Sequence, residues 1–154
     1  MNRVKWAATT GILAWAATTG ILAAVVALGQ VNDTAMPTMS VNDLMITVVA
    51  PATDTIWGID DPQTDEDWQV YIDAADAVID ASRTLRIGGT GPNDPDWASD
   101  PAWQVFIDAL AEAGQVARKA ANEQDVELMY TAGEVIYPPC EECHLQFHPG
   151  VAGQ

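Results

Sequence analysis

Apolar side chains recur three and four positions apart in four separate segments of this chain, and each segment opens at a cap and closes at glycine, proline or acidic residues. That period belongs to helices, and no stretch makes a convincing strand. The first segment starts at Ser40, with Asp43 three residues on in a capping-box pattern, and carries Val41, Leu44, Met45, Val48, Ala52 and Ile56 before Gly58. Pro51 lies inside it and should bend it, because proline removes a backbone donor. The second starts at Thr64, with Asp67 in the capping-box place, and runs through Trp68, Tyr71, Ile72, Ala75, Val78, Ile79 and Leu85 to Gly88-Gly89. Residues Ile87 to Ser99 are rich in Gly, Pro and Asp and read as a loop. The third opens at Asp100-Pro101 and carries Trp103, Phe106, Ile107, Leu110, Ala113, Ala117 and Ala120. The fourth begins near Asp125 and carries Leu128, Met129, Ala132, Val135 and Ile136, with Pro138-Pro139 expected to break or kink it. Four helices with short to moderate links predict an all-α domain, a four-helix up-down-up-down bundle over residues 40–150.

The N-terminus has a different character. Arg3 and Lys5 precede an apolar run from Ala7 to about Leu28, the order of a signal peptide or a membrane anchor helix. WAATTGILA occurs at Trp6–Ala14 and again at Trp15–Ala23, so a short duplication has lengthened the run. With both copies it approaches the length needed to span a bilayer, while Ala27-Leu28-Gly29 offers a cleavage site before Gln30. Residues 1–29 are therefore expected to be a signal peptide or anchor, and residues 30–39, which include Pro37, a linker outside the fold. Either outcome places the domain outside the cytoplasm, in the periplasm, soluble or tethered to the inner membrane.

The chain carries 22 acidic and 6 basic residues, a net charge of −16. Such a surface repels nucleic acid and anionic lipid and favours a cationic partner face. The bland reading of the acid excess is solubility or adaptation to salt. The carboxylates are spread over solvated helix faces, and no constellation of acid, base and nucleophile suggests an enzyme.

The only two cysteines lie together in Cys140-Glu141-Glu142-Cys143-His144, a C-x-x-C-H pattern. Residues three apart lie on one side of a helical turn. Two sulfurs so placed can each form a thioether to a haem vinyl carbon, and the next residue can offer its imidazole to the iron. One covalent haem c, attached through Cys140 and Cys143 and ligated by His144, is the expected cofactor. Two other readings exist. A redox C-x-x-C wants a βαβ context, which the helical pattern lacks. A structural zinc site wants four ligands, which Cys140, Cys143, His144 and His148 could supply.

A haem motif at the end of the last helix resembles class II cytochromes c, the cytochrome c-prime group. The stretch from Ile136-Tyr137-Pro138-Pro139 through the motif to Phe147-His148-Pro149-Gly150 carries the resemblance, as does the opening helix from Leu44-Met45 through Pro51 to Trp57. The similarity covers about residues 40–150, and only the haem motif is highly specific. It implies a periplasmic four-helix bundle that either passes single electrons with a six-coordinate iron or binds a small gas such as nitric oxide or carbon monoxide at a five-coordinate one. Electron transfer between redox partner proteins is the favoured function, and gas binding is the alternative. A homodimer through the first two helices would fit the resemblance. Many members carry basic residues after the histidine, whereas here Leu145-Gln146-Phe147 follow.

In an alternating bundle the end of the fourth helix meets the start of the first, the end of the second and the start of the third. Haem is thus expected among Leu44, Met45, Val48, Val78, Ile79, Trp103, Phe106 and Ile107. Met45 is the candidate sixth ligand or a pocket wall, since Met129 lies about four turns from His144 at ~1.5 Å per residue. His148 lies on the wrong side of its helix to be a sixth ligand. Arg83 and Arg86 end the second helix and are candidates to pair with a haem propionate. Arg86 and Phe106 join Met45 as candidate cofactor-binding residues.

Overall fold

A computed structural model describes residues 37–150, and these are all-helical, with no strand among them. The expected signal or anchor segment, residues 1–29, lies outside the described residues, as does the linker as far as residue 36. No helix among the described residues is long and apolar enough to cross a membrane.

The first helix comprises α1 (Val41–Leu44), a π-helical turn (Met45–Val49) and α2 (Ala50–Trp57), which follow one another without a break. Then come α3 (Asp65–Ile87), α4 (Asp94–Ser99), α5 (Pro101–Glu123) and α6 (Val126–Phe147). Every cap expected of the four long helices forms. Ser40 Oγ accepts from Asp43 N–H at 3.0 Å, and Thr64 with Asp67 makes a reciprocal capping box. Asp100 accepts from Ala102 N–H, and Asp125 from Leu128 N–H.

The apolar stripes meet in one core. Ile56, Leu85, Trp103, Ile107, Met129 and Ile136 are its largest fully buried side chains, with Val78 and Ala-rich faces between them. Helix α5 packs on both α3 and α6, and α2 touches α3 and α6. Gly114 lies where α5 approaches α3, and a Cβ there would stand 3.0 Å from Ile79 Cγ1. Trp103 donates its indole N–H to the terminal carbonyl of Leu85 at 2.8 Å, tying α5 to the end of α3. All four basic residues in the described part are paired on the surface: Arg83 with Asp80, Arg86 with Asp108, Arg118 with Asp76 and Lys119 with Glu123. Exposed pairs of this kind add little stability, so the core carries the fold.

Four local features differ from the sequence reading. Residues 94–99, expected as loop, form α4, with proline in the first turn and Asp94 and Asp96 favouring the helix N-terminus. Helix α6 runs on through Pro138 and Pro139. Their missing N–H groups would have served the carbonyls of Glu134 and Val135, both exposed residues whose oxygens water can satisfy. The helix containing Pro51 widens into a π turn just ahead of it. Met39, assigned to a linker outside the fold, packs against the core and accepts Thr90 N–H at 3.0 Å.

Asp94 explains the last contact. Its buried carboxylate accepts from Val41 N–H at 2.8 Å and Gly91 N–H at 2.7 Å, so α4 clamps the start of α1. The glycines before it permit the approach: Gly88 adopts φ +96°, and a Cβ on Gly89 would stand 2.4 Å from Asp94 Oδ2. Asp94→Ala leaves both donors buried without a partner and is expected to cost roughly 2–4 kcal/mol. Asp94→Asn keeps an acceptor and should cost clearly less. Denaturant midpoints of the two variants check both statements.

Candidate functional site

The C-terminal half of α6 is held by aromatic packing. Phe147 sets its ring edge-on to Trp103 at 5.2 Å, to Trp97 at 6.3 Å and to Phe106 at 6.3 Å, while Trp97 stacks on Trp103 at 5.7 Å. Such pairs fix the orientation of the helix that carries the two cysteines as well as burying area.

Beside that helix lies a cavity of about 720 Å³ between the first helix, α5 and α6. From α6 it is lined by Tyr137, Pro139, Cys140, Glu141, Cys143 and His144. The first helix contributes Met45, Val49, Ala50, Thr53, Asp54 and Trp57, and α5 contributes Phe106, Ile107 and Leu110. A second hollow of about 260 Å³ shares Met45, Ala50, Cys143 and His144 with the first and is closed by Val41, Ile46, Trp97, Trp103 and Phe147. Met45 and His144 thus border both spaces.

The expected site residues Cys140, Cys143, His144, Met45 and Phe106 all come together here. Arg86 does not line the cavity; it pairs with Asp108 and reaches Gln104 Oε1 at 3.4 Å. Of the other expected neighbours, Ile107 lines the cavity and Trp103 the adjoining hollow, whereas Leu44, Val48, Val78 and Ile79 line neither. Leu44, Val78 and Ile79 are core residues. Val49, Thr53, Trp57, Leu110 and Tyr137 were missed. For those on the first helix the signal was spacing: Met45, Val49, Thr53 and Trp57 repeat every four residues. Met129 is wholly buried away from the cavity, and His148, exposed as the C-cap of α6, borders the adjoining hollow with His144 and Met45.

Both thiols are desolvated. Burial pushes Cys140 up to about 11, and burial with the neighbouring Cys140 pushes Cys143 up to about 12. A redox C-x-x-C needs the opposite, a thiolate stabilised near neutral pH. His144 is held below the usual histidine value, first by burial and then by the charge of His148, so its imidazole is neutral at pH 7 and can act as a ligand. Glu141 accepts a hydrogen bond from Tyr137, which raises the phenol. Among the described residues no three His, Cys, Asp or Glu side chains converge as a metal-binding group. No family model matches the chain, and neither a curated protein nor a solved structure matches it.

The raised thiols have a measurable consequence in the haem-free chain. A folded-state value above the unfolded one means that the protonated thiols favour the fold. That contribution is complete below about pH 9, the ordinary thiol value, and is lost as pH rises towards 11 and 12. Alkylation by iodoacetamide at pH 8 should be slower in the folded chain than in urea, on the order of 100-fold if thiolate population controls it. Equal rates would contradict the burial of the pair.

Proposed function

We propose that this protein is a mono-haem c-type cytochrome that transfers single electrons. The observation that carries the reading is one shared cavity: Cys140, Cys143, His144 and Met45 all line it. The residues fit the group. Both thiols are free, Cys143 buried and Cys140 half-buried, the walls are mainly apolar, and the volume falls in the roughly 300–1,000 Å³ range of cofactor pockets. The Cys140–Cys143 spacing turns both sulfurs to one side of α6, where they would hold the haem by thioethers, and the imidazole of His144 would ligate its iron. Met45 borders the same spaces as His144 from the facing helix, which favours it as the sixth ligand.

When bound, the haem supplies the one-electron iron couple. The chain sets its poise. The Met45 thioether is neutral and soft and favours the ferrous state. The carboxylates of Asp54 and Glu141 line the cavity and favour the more positive ferric state. Phe106, Ile107 and Leu110 exclude water from the α5 side.

The finer fold belongs to this proposal as well: a four-helix up-down-up-down bundle of the first helix, α3, α5 and α6, with α4 as an insertion. The packing of α5 on α3 and α6, and of α2 on the same two helices, supports it. So does the resemblance to class II cytochromes c. The N-terminal sequence supports a location outside the cytoplasm, and the acid excess supports partners with a cationic docking face.

Absorption spectra in both redox states, on protein made with haem-attachment machinery, test the function. Low-spin bands in both states, with slow carbon monoxide binding to the ferrous form, are expected. A high-spin ferrous protein that binds carbon monoxide rapidly would replace electron transfer with gas binding.

A further inference from the structure

The π turn is the irregular feature of the first helix, and it lies where that helix meets the cavity. Ala50 N–H reaches back five residues to the carbonyl of Met45, where an α-helix would reach back four. Such a turn holds one extra residue, and the helix beyond it is rotated by about 100° relative to an uninterrupted α-helix. Pro51 stands two residues past the turn. It has no N–H for Thr47 O, and in a regular helix its ring would collide with that carbonyl. A widened turn immediately ahead of the proline relieves the collision.

Hydroxyls serve the carbonyls around the irregularity. Thr47 Oγ1 donates to Asp43 O at 2.6 Å, and Thr53 Oγ1 to Val49 O at 3.0 Å and Ala50 O at 3.1 Å. The helix is also pinned on both sides of the turn. Asp94 holds Val41 N–H at its start, and Trp57 donates its indole N–H to Gly133 O at 2.9 Å at its end. With the ends held, the extra residue decides which side chains of the early part share a wall with those of α2. As built, Met45 shares the cavity wall with Val49, Thr53 and Trp57.

We infer that Pro51 is a positioning residue which, through the π turn, presents Met45 to the cavity lined by His144. In its consequence for the iron the inference rests on the proposed haem site. Pro51 does not line the cavity, so any effect of its replacement on the site passes through the backbone. Replacing it with alanine restores the donor to Thr47 O, removes the ring and favours a regular α-helix with Met45 turned away from the wall it now shares.

The test uses full-length, haem-loaded protein and the variants Pro51→Ala and Pro51→Ser. Both replace an interior helix proline with a better helix former, so folding is expected to survive. Two readouts are taken, the spin-state bands and the NMR contacts of the Met45 ε-methyl with other cavity-lining residues. Loss of the methyl contacts and conversion to high spin, with haem still covalently attached, is the expected result. Methyl contacts unchanged in both variants would overturn the inference. If the unmutated protein is high-spin from the outset, ligation by Met45 fails, yet the methyl contacts still decide the role of Pro51. The methyl readout also decides it in protein that takes up no haem.

Discussion

Replacing both Cys140 and Cys143 by alanine should abolish covalently retained haem altogether, while the helical content of the chain is kept. They are the only cysteines in the sequence, so no other thioether is possible. Both lie on α6 and line one cavity, and neither sulfur is committed to another bond. Their removal deletes little core volume: Cys143 is buried, but Cys140 is only half-buried. The end of α6 stays anchored by Phe147 among Trp97, Trp103 and Phe106. Any haem left in the double variant would be held by His144 and apolar contact alone and should leave on denaturation. Each single variant keeps one thioether and should retain haem with an altered spectrum. Haem staining of denatured protein and circular dichroism check the two halves of the statement separately.

Met45→Leu is the second large effect. It keeps an apolar side chain of similar volume and removes the sulfur, so packing should change by less than about 1.5 kcal/mol. The iron should change from low to high spin, and carbon monoxide should bind quickly. Loss of the thioether removes a ligand that favours ferrous iron. The potential should therefore fall, on the order of 0.1 V within the roughly 0.8 V that axial ligands span. A variant with unchanged spectrum and potential would show that Met45 is only a wall of the cavity.

The helical elements were readable because their signals are local. Ser40, Thr64, Asp100 and Asp125 each cap the helix that follows, and Trp68, Trp103 and Met129 are buried as their period implies, whereas Val135 of the fourth stripe is exposed. The errors lie where a local signal was outweighed. Pro138 and Pro139 look like helix breakers, yet the carbonyls they leave unserved belong to exposed residues, and α6 continues. The Gly-Pro-Asp segment looks like a loop, yet Asp94 must be buried to hold Val41, and a helical turn forms around it.

The lining of the cavity was legible in part: Cys140, Cys143, His144, Met45 and Phe106 border it, and Leu44 and Val48 do not. Cys140, Cys143 and His144 announce themselves by residue type and spacing, and Met45 by being the methionine at the start of the first helix. The wall opposite α6 was assigned by apolar character, which selected Leu44 and Val48. Besides Met45, the residues that line the cavity from that helix include Val49, Thr53 and Trp57, two of them with polar groups. Thr53 is buried with its hydroxyl on backbone carbonyls, and Trp57 donates to Gly133 O, so neither polarity opposes the position. The π turn also changes the register by one residue, which no α-helical projection of the sequence contains. Arg86 was proposed for a propionate because it is a cation near the right end of its helix. Asp108 on α5 meets it instead, a partner that only the packing of α3 on α5 brings close.

Haem retention after denaturation tests the central claim most directly. The full chain is produced with haem-attachment machinery, denatured, extracted with acid and organic solvent, and weighed by mass spectrometry. One haem should remain on each chain, and digestion should locate it on the peptide that contains Cys140 and Cys143. Complete extraction of the haem, or a chain that never acquires any, would contradict the account.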